Sequence, residues 1–240
     1  IAAESRRHGG VSAPPFLSLN LGINTKDAPE NVLENRRLFF EKLEISEAKL
    51  ASSHQVHGDS IQIVTQPGRA EGFDALVTEV PEVVLGVTVA DCTPVLIYDA
   101  HRRVVGAVHA GWRGTVSQLV YKTLETMHAE YGTAPGDCFA YVGTCIDENA
   151  FEVGEEVAEQ FPDKFKRFDT GRGKYLVDLK RANAAQLENF GIPSERIEIS
   201  PYSTITHNDH YFSYRLENGQ TGRMLAVIGM NNAKTYDKRY

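Results

Sequence analysis

The 240-residue chain is 42% hydrophobic, enough for a substantial core in one large domain or two intimate halves. A net charge of -7 supplies no basic footprint for nucleic acid or an anionic membrane surface, and no apolar run is long enough to span a bilayer. Three cysteines, Cys92, Cys138 and Cys145, are odd in number and not spaced as a disulfide framework, which predicts free thiols in a reducing, cytoplasmic setting. No signal-peptide pattern is visible from Ile1 onward, and whether residues precede Ile1 stays open.

In chain order, residues 1–25 read as a strand end leading into loops. Arg7 lies beside Gly9-Gly10, where backbone amides can approach an anion; the plainer reading is a surface turn with a solvated arginine. Asp27-Ala28-Pro29-Glu30 predicts a helix start with Asp27 as N-cap, and Val32, Arg36, Phe39, Phe40 and Leu43 line one face of that helix. Residues 50–64 read as two short strands around a loop holding His54 and His57. Asp74, before the next strand, reads equally as a turn residue or a functional one.

The stretch 90–115 organises the chain. Residues 83–89, 95–98 and 104–108 are short, β-branched runs that predict buried strands. Pro94 cannot donate to a sheet ladder, so Asp91-Cys92-Thr93 is expected to be a break. Ala110 to Gly114 reads as a strand-to-helix turn, followed by a helical face of Val116, Leu119, Val120, Thr123, Leu124, Met127 and Tyr131. Cys92 and His109 thus fall where strands stop and loops begin, a usual place for functional groups. On spacing alone, Cys92 reads first as a small buried hydrophobe and the histidines as ordinary core or surface residues.

Downstream, residues 138–142 predict a strand, and Cys145 follows it, in a pocket loop or as buried packing. Residues 150–161 predict a helix stopped by Pro162. Asp178 caps a second helix that Gly191 ends. Residues 196–200 and 224–229 predict strands. His207-Asn208-Asp209-His210 reads as a loop, with metal binding the lesser alternative, and residues 231–240 form a polar tail.

Taken together and in order, Gln55-Val56-His57-Gly58, Ala90-Asp91-Cys92-Thr93-Pro94 and His109-Ala110-Gly111-Trp112-Arg113-Gly114 resemble the YfiH family. That family is also called the laccase-domain or polyphenol-oxidase family of purine nucleoside phosphorylases. Arg7-His8-Gly9-Gly10-Val11-Ser12, Ser18-Leu19-Asn20-Leu21-Gly22, Glu34-Asn35-Arg36, Asp74-Ala75, Phe151-Glu152-Val153-Gly154, Phe212-Ser213-Tyr214-Arg215 and Thr221-Gly222-Arg223 extend the match over nearly the whole chain. Thr144 departs from the family's usual Gly-Pro at that turn.

The resemblance implies one domain over residues 1–240, an α/β to α+β sandwich of mixed sheets with flanking helices. It implies a metal held by His57, Cys92 and His109, with His54 structural. Three ligands and an open position suit zinc. Asp91 is a candidate proton carrier or support for Cys92, or a turn residue capping local amides. Arg7, Arg113 and Arg215 are the candidates to hold phosphate. The activities implied are phosphorolysis of adenosine, inosine and methylthioadenosine, plus adenosine deamination. The partners implied are a small nucleoside and phosphate, with the chain a monomer or small homo-oligomer. Three alternatives stand beside this reading: a copper-dependent polyphenol oxidase, a hydrolase using Cys92 and His109 as nucleophile and base, and an editing factor for peptidoglycan precursors.

Overall fold

The structure, a computed structural model, describes residues 1–232; the expected polar tail lies, from residue 233 on, outside the described residues. The first half contains β1 (Ala2–Glu4), α1 (Pro29–Lys42), β2 (Leu50–His54), β3 (Ile61–Ile63), β4 (Gly68–Glu71) and β5 (Ala75–Thr78). It continues with β6 (Val84–Val89), β7 (Thr93–Asp99), β8 (Val104–Ala110), α2 (Trp112–Val116) and α3 (Leu119–Tyr131). The second half contains β9 (Cys138–Val142), β10 (Glu152–Val153), α4 (Glu155–Ala158), β11 (Lys166–Asp169), β12 (Lys174–Val177), α5 (Leu179–Phe190), β13 (Ile197–Ile199) and β14 (Met224–Gly229).

These strands make three sheets. The largest has six strands in the order β13-β9-β7-β8-β5-β3, and a second has five in the order β1-β14-β6-β2-β4. Both are mixed: β2 runs parallel to β4 and β6, β13 to β9 and β3 to β5, while the remaining pairs are antiparallel. Side-chain alternation explains how the layers stack. Leu76, Leu96, Val105 and Ala107 leave one face of the six-stranded sheet and meet Leu85, Val87 and Ala226 of the five-stranded sheet. Val77, Val95, Ile97 and Val108 leave the opposite face and meet Leu119, Leu124 and Met127 of α3 and Leu187 of α5. Gly106 lies on that helix side, where an added Cβ would come 3.3 Å from Met127 Sδ. Phe39 and Phe40 of α1 cover the outer face of the five-stranded sheet at Leu50, Val84, Leu225 and Val227. The result is the expected layered α/β sandwich of mixed sheets with flanking helices.

Several local expectations are corrected. Ala28, not Asp27, is the N-cap of α1, and no side chain caps it. Asp27 instead accepts from Ser12 Oγ at 2.6 Å and Asn20 Nδ2 at 2.9 Å, so its carboxylate is spent on the N-terminal loop. The helix expected through Val116 and Tyr131 is two helices, α2 and α3, separated at Gln118, whose φ of 61° breaks the run. The break expected at Asp91-Cys92-Thr93 is present but displaced by one residue: residues 90–92 separate β6 from β7, and Pro94 stands inside β7. It is the second residue of β7, opposite His109 and next to the strand end, where its missing N–H removes little ladder. The helix expected over 150–161 is the short strand β10 followed by the four-residue α4, because Glu152 and Val153 pair with Leu176 and Tyr175 of β12. The β11–β12 hairpin has no counterpart in the sequence-based expectations.

Candidate metal centre and the cavity above it

Register alone brings the centre together. In the β7–β8 ladder Thr93 pairs with Ala110 and Pro94 with His109, so Cys92 and His109 meet at the end remote from the turn. In the β5–β8 ladder Ala75 pairs with Val108, which sets Asp74 beside His109; the His109 N–H donates to the Asp74 carbonyl at 2.7 Å. Strand β3 pairs Ile61 with Ala75, so the loop carrying His57 opens at this same sheet end.

The donor atoms of His57, Cys92 and His109 all lie within 4.8 Å of one another. Among the described residues this is the one such cluster of three His, Cys, Asp or Glu donors. Its chemistry fits a bound transition-metal ion: one soft thiolate and two imidazoles, drawn from three separate segments. Gly111 gives a second sign of fit. A Cβ there would come 3.2 Å from Cys92 Sγ and 3.3 Å from His57 Cδ2, so only hydrogen leaves the two donors unhindered.

Asp74 ties the arrangement together. It is fully buried. Its Oδ1 accepts from the His57 N–H at 3.0 Å and faces His109 Nδ1 at 2.8 Å. Its Oδ2 accepts from the Val56 N–H at 3.2 Å and the Gly58 N–H at 2.8 Å. With Nδ1 committed to the carboxylate, His109 turns Nε2 to the centre, the carboxylate–histidine arrangement that orients metal ligands. The same bonds stabilise the left-handed backbone of His57, φ 59°. Burial opposes the Asp74 charge, but the His109 ring and the Gly58 and Val56 amides outweigh it and hold the carboxyl below its ordinary pKa. Burial likewise opposes ionising Cys92, yet His109 and His57 together draw its thiol well below the usual range. The same pairing raises His109 against its burial, through Cys92 and then Asp74.

The three donors stand in a cavity of about 650 Å³, within the range of small-molecule sites. Three arginines line it, each on an aromatic that also lines it: Arg113 over Trp112 at 4.4 Å, Arg215 over Phe151 at 5.6 Å and Arg223 over Tyr214 at 5.3 Å. Arg113 and Arg215 are exposed; Arg223 is half-buried.

The expected site residues therefore divide. His57, Cys92, His109, Asp91, Arg113 and Arg215 all line this cavity. Asp91 has its own left-handed backbone, φ 83°, and both its oxygens are engaged. Oδ1 accepts from Thr204 Oγ1 at 2.5 Å and Oδ2 from the Arg215 N–H at 2.6 Å, so it ties two loops to the cavity wall. Arg7 is not among the lining residues. Its guanidinium donates to Glu217 at 2.9 Å and to the Asn208 carbonyl at 2.7 Å while lying 4.5 Å over the Phe212 ring, so its charge is already neutralised. His54 contacts Glu71 at 2.7 Å on the cavity wall. Cys145 is buried among Ile146, Phe151 and Leu179, which makes it packing. His207 packs on Tyr202 with ring centroids 5.2 Å apart, away from the three-donor centre. Asp74, which the sequence offers equally as a turn residue, and Arg223, which it leaves without a role, both belong to this site. The signals are a carboxylate immediately before the fully buried strand β5 and an arginine in an ordered motif.

Fold and site define a layered α/β protein with a His-Cys-His cluster able to hold a metal ion at the end of a central β-hairpin. The chain belongs to the family described as multi-copper polyphenol oxidoreductase laccase, whose model matches residues 1–231. Proteins named YfiH and YlmD are among its relatives, in agreement with the resemblance read from the sequence. It is 37% identical over 240 residues to a protein of Bacteroides thetaiotaomicron named purine nucleoside phosphorylase, covering 92% of this chain and 88% of the relative. A Deinococcus radiodurans protein of the same name is 39% identical, with 95% and 88% covered. The crystal structure of YlmD from Geobacillus stearothermophilus superposes with a TM-score of 0.91 at 33% identity, covering 96% of this chain and 92% of that one. The Bacillus licheniformis YfiH crystal structure gives 0.92 at 31% identity, with the same coverage. No helix among the described residues is long and apolar enough to cross a membrane.

Proposed function

We propose that this chain is a zinc-dependent purine nucleoside phosphorylase acting on adenosine, inosine and methylthioadenosine, and that the same cavity deaminates adenosine. The observation that carries the reading is the three-donor cluster set in a cation-lined cavity, in a chain whose relatives bear the phosphorylase name. In phosphorolysis a phosphate oxygen attacks C1′ of the ribose. The C1′–N9 bond breaks with its electron pair going to the purine, which then takes up a proton. In deamination water adds at C6 and ammonia leaves.

The residues map onto these needs. Exposed Arg113 and Arg215 attract the phosphate dianion to the cavity mouth in an otherwise acidic protein. Trp112, Phe151 and Tyr214 offer flat apolar surface to a purine. His57, Cys92 and His109 hold zinc, with Asp74 fixing the His109 tautomer. When bound, zinc supplies Lewis-acid polarisation of an oxygen or ring atom.

The deciding experiment is elemental analysis and nucleoside turnover on one preparation. About one zinc per chain and phosphate-dependent release of adenine from adenosine are expected. Zinc-loaded protein that releases neither adenine nor ammonia would refute the reading, and phenol oxidation appearing only after copper loading would replace it with the oxidase. A second reading draws on one observation: Cys92, His109 and Asp74 stand in the order nucleophile, base and orienting carboxylate. Iodoacetamide distinguishes it. A Cys92 that is alkylated only after chelation is a metal ligand; one alkylated in the loaded protein is a nucleophile.

A further inference from the structure

Two sequence motifs left without a role by the metal centre converge on Arg223. The bend at Leu19 to Gly22 clamps its backbone. Asn20 Oδ1 accepts from the Arg223 N–H at 2.9 Å and from the Gly22 N–H at 3.0 Å. The Leu21 N–H donates to the Arg223 carbonyl at 3.0 Å. Asn20 is fully buried, and Asn35 Nδ2 donates to its carbonyl at 3.0 Å, so the bend itself is anchored to α1. A Cβ on Gly22 would fall 2.6 Å from Arg223 Cγ and 2.8 Å from its Cβ. Glycine at 22 is therefore what lets the arginine stem lie along the cavity wall, and the stem has little freedom left.

The guanidinium on this stem is provided for differently from those of Arg7 and Arg36, and unlike half-buried Arg103 and Arg196, which donate to backbone carbonyls elsewhere, it lines the cavity of the three donors. Arg7 and Arg36 each have a carboxylate partner, Glu217 and Glu47. Among the described residues Arg223 has none. Its Nη1 donates to the Thr221 and Gly222 carbonyls at 3.0 and 2.9 Å, and its plane lies over Tyr214. Nε and Nη2 have no hydrogen-bond partner among the described residues. These two groups form one edge of the guanidinium, the edge that binds an oxyanion through two parallel hydrogen bonds. Burial works against the cation, and Tyr214, Cys92 and Asp91 offset that only in part. A half-buried cation that lines the cavity with two parallel donors and no carboxylate partner among the described residues is suited to an oxyanion. Arg113 and Arg215 are exposed at the rim, where water and salt already screen their charge.

We propose that Arg223 is the phosphate-binding residue of the cavity, gripping the oxyanion through its Nε–Nη2 edge beside the His57–Cys92–His109 centre. The inference rests on the phosphorolysis reading and refines it: the rim arginines attract phosphate, and Arg223 holds it where it reacts. The co-substrate is an inorganic oxyanion of tetrahedral shape, and sulfate or arsenate would occupy the same edge.

The test is binding of inorganic phosphate to the zinc-loaded protein by calorimetry, beside steady-state kinetics with phosphate and nucleoside varied separately. Arg223→Gln is expected to weaken phosphate binding and raise the phosphate KM by about tenfold or more, the loss of one charge-assisted bidentate contact. Zinc content and the nucleoside KM should stay as in the parent. Arg223→Lys keeps the stem and charge but lacks the fork, and should fall between the two. It also decides the matter if the glutamine variant does not fold. Arg37→Gln, on the exposed face of α1, is the surface-charge control. Parent-like phosphate binding in both Arg223 variants overturns this inference and leaves phosphorolysis standing. A raised nucleoside KM with an unchanged phosphate KM does the same. A parent protein that neither binds phosphate nor consumes nucleoside overturns both.

Discussion

Replacing Asp74 with asparagine tests whether one buried carboxylate assembles the His57–Cys92–His109 cluster. The Asp74 carboxylate faces four donors: three backbone N–H groups and the His109 ring nitrogen. Asparagine keeps one acceptor oxygen. Whichever way its amide flips, an NH₂ group faces two donors, either Val56 and Gly58 or His57 and His109. Each buried donor left without a partner costs about 1–3 kcal/mol, and His57 and Gly58 lie on a partly solvated loop, so a loss of about 3 kcal/mol is expected. Metal affinity should fall about 10- to 100-fold, because the amide no longer fixes the His109 tautomer. Urea unfolding of metal-free parent and variant measures the first, and competition with a chromophoric chelator the second. The acid limb adds a signature. The Asp74 pKa is depressed in the folded protein, so its stabilisation is present above the ordinary carboxyl range and is lost as pH falls through the depressed value. Parent and variant should therefore converge in acid. A variant with parent stability at pH 7 and parent metal affinity would refute the claim.

The thiols and Arg7 make two further tests. In metal-free protein Cys92 should alkylate rapidly at pH 7, with a midpoint well below the roughly 8.5 of an ordinary thiol, because His109 and His57 favour its thiolate. Cys138 and Cys145, both pushed up to about 12 by burial, should stay unmodified; peptide mapping across pH decides, and equal labelling of all three would contradict the assignment. Arg7→Met should lower stability by about 2 kcal/mol by stranding Glu217, yet leave the phosphate KM at the parent value. A selective rise in that KM would return Arg7 to the substrate site.

Much of the candidate site was legible through the ordered motifs that carry the family resemblance. Cys92 and His109 fall at strand ends and His57 in a loop, where spacing alone leaves them ordinary and only the ordered family motifs group them; the layered α/β class follows from β-branched runs alternating with helical faces. Local signals failed where tertiary pairing overrode them. Residues 150–161 carry a helical pattern, but β12 offers Glu152 and Val153 a ladder. Pro94, by contrast, marks the break between β6 and β7 to within one residue, and it sits at the second position of β7, where a missing donor matters little.

What the sequence determined by itself was the inventory: the donors, the alternating apolar faces that pack two sheets and their helices, and the motifs. Only the tertiary structure decided who meets whom. A strand pairing has a register that no local pattern specifies, and register sets Asp74 against His109 and His109 against Cys92. The charge of an arginine is likewise visible in the sequence, but its availability is not. Glu217 neutralises Arg7 from 210 positions away, while Arg223 reaches the cavity without a carboxylate partner among the described residues. Electrostatic pairing depends on distance in space, and that distance is a property of the fold.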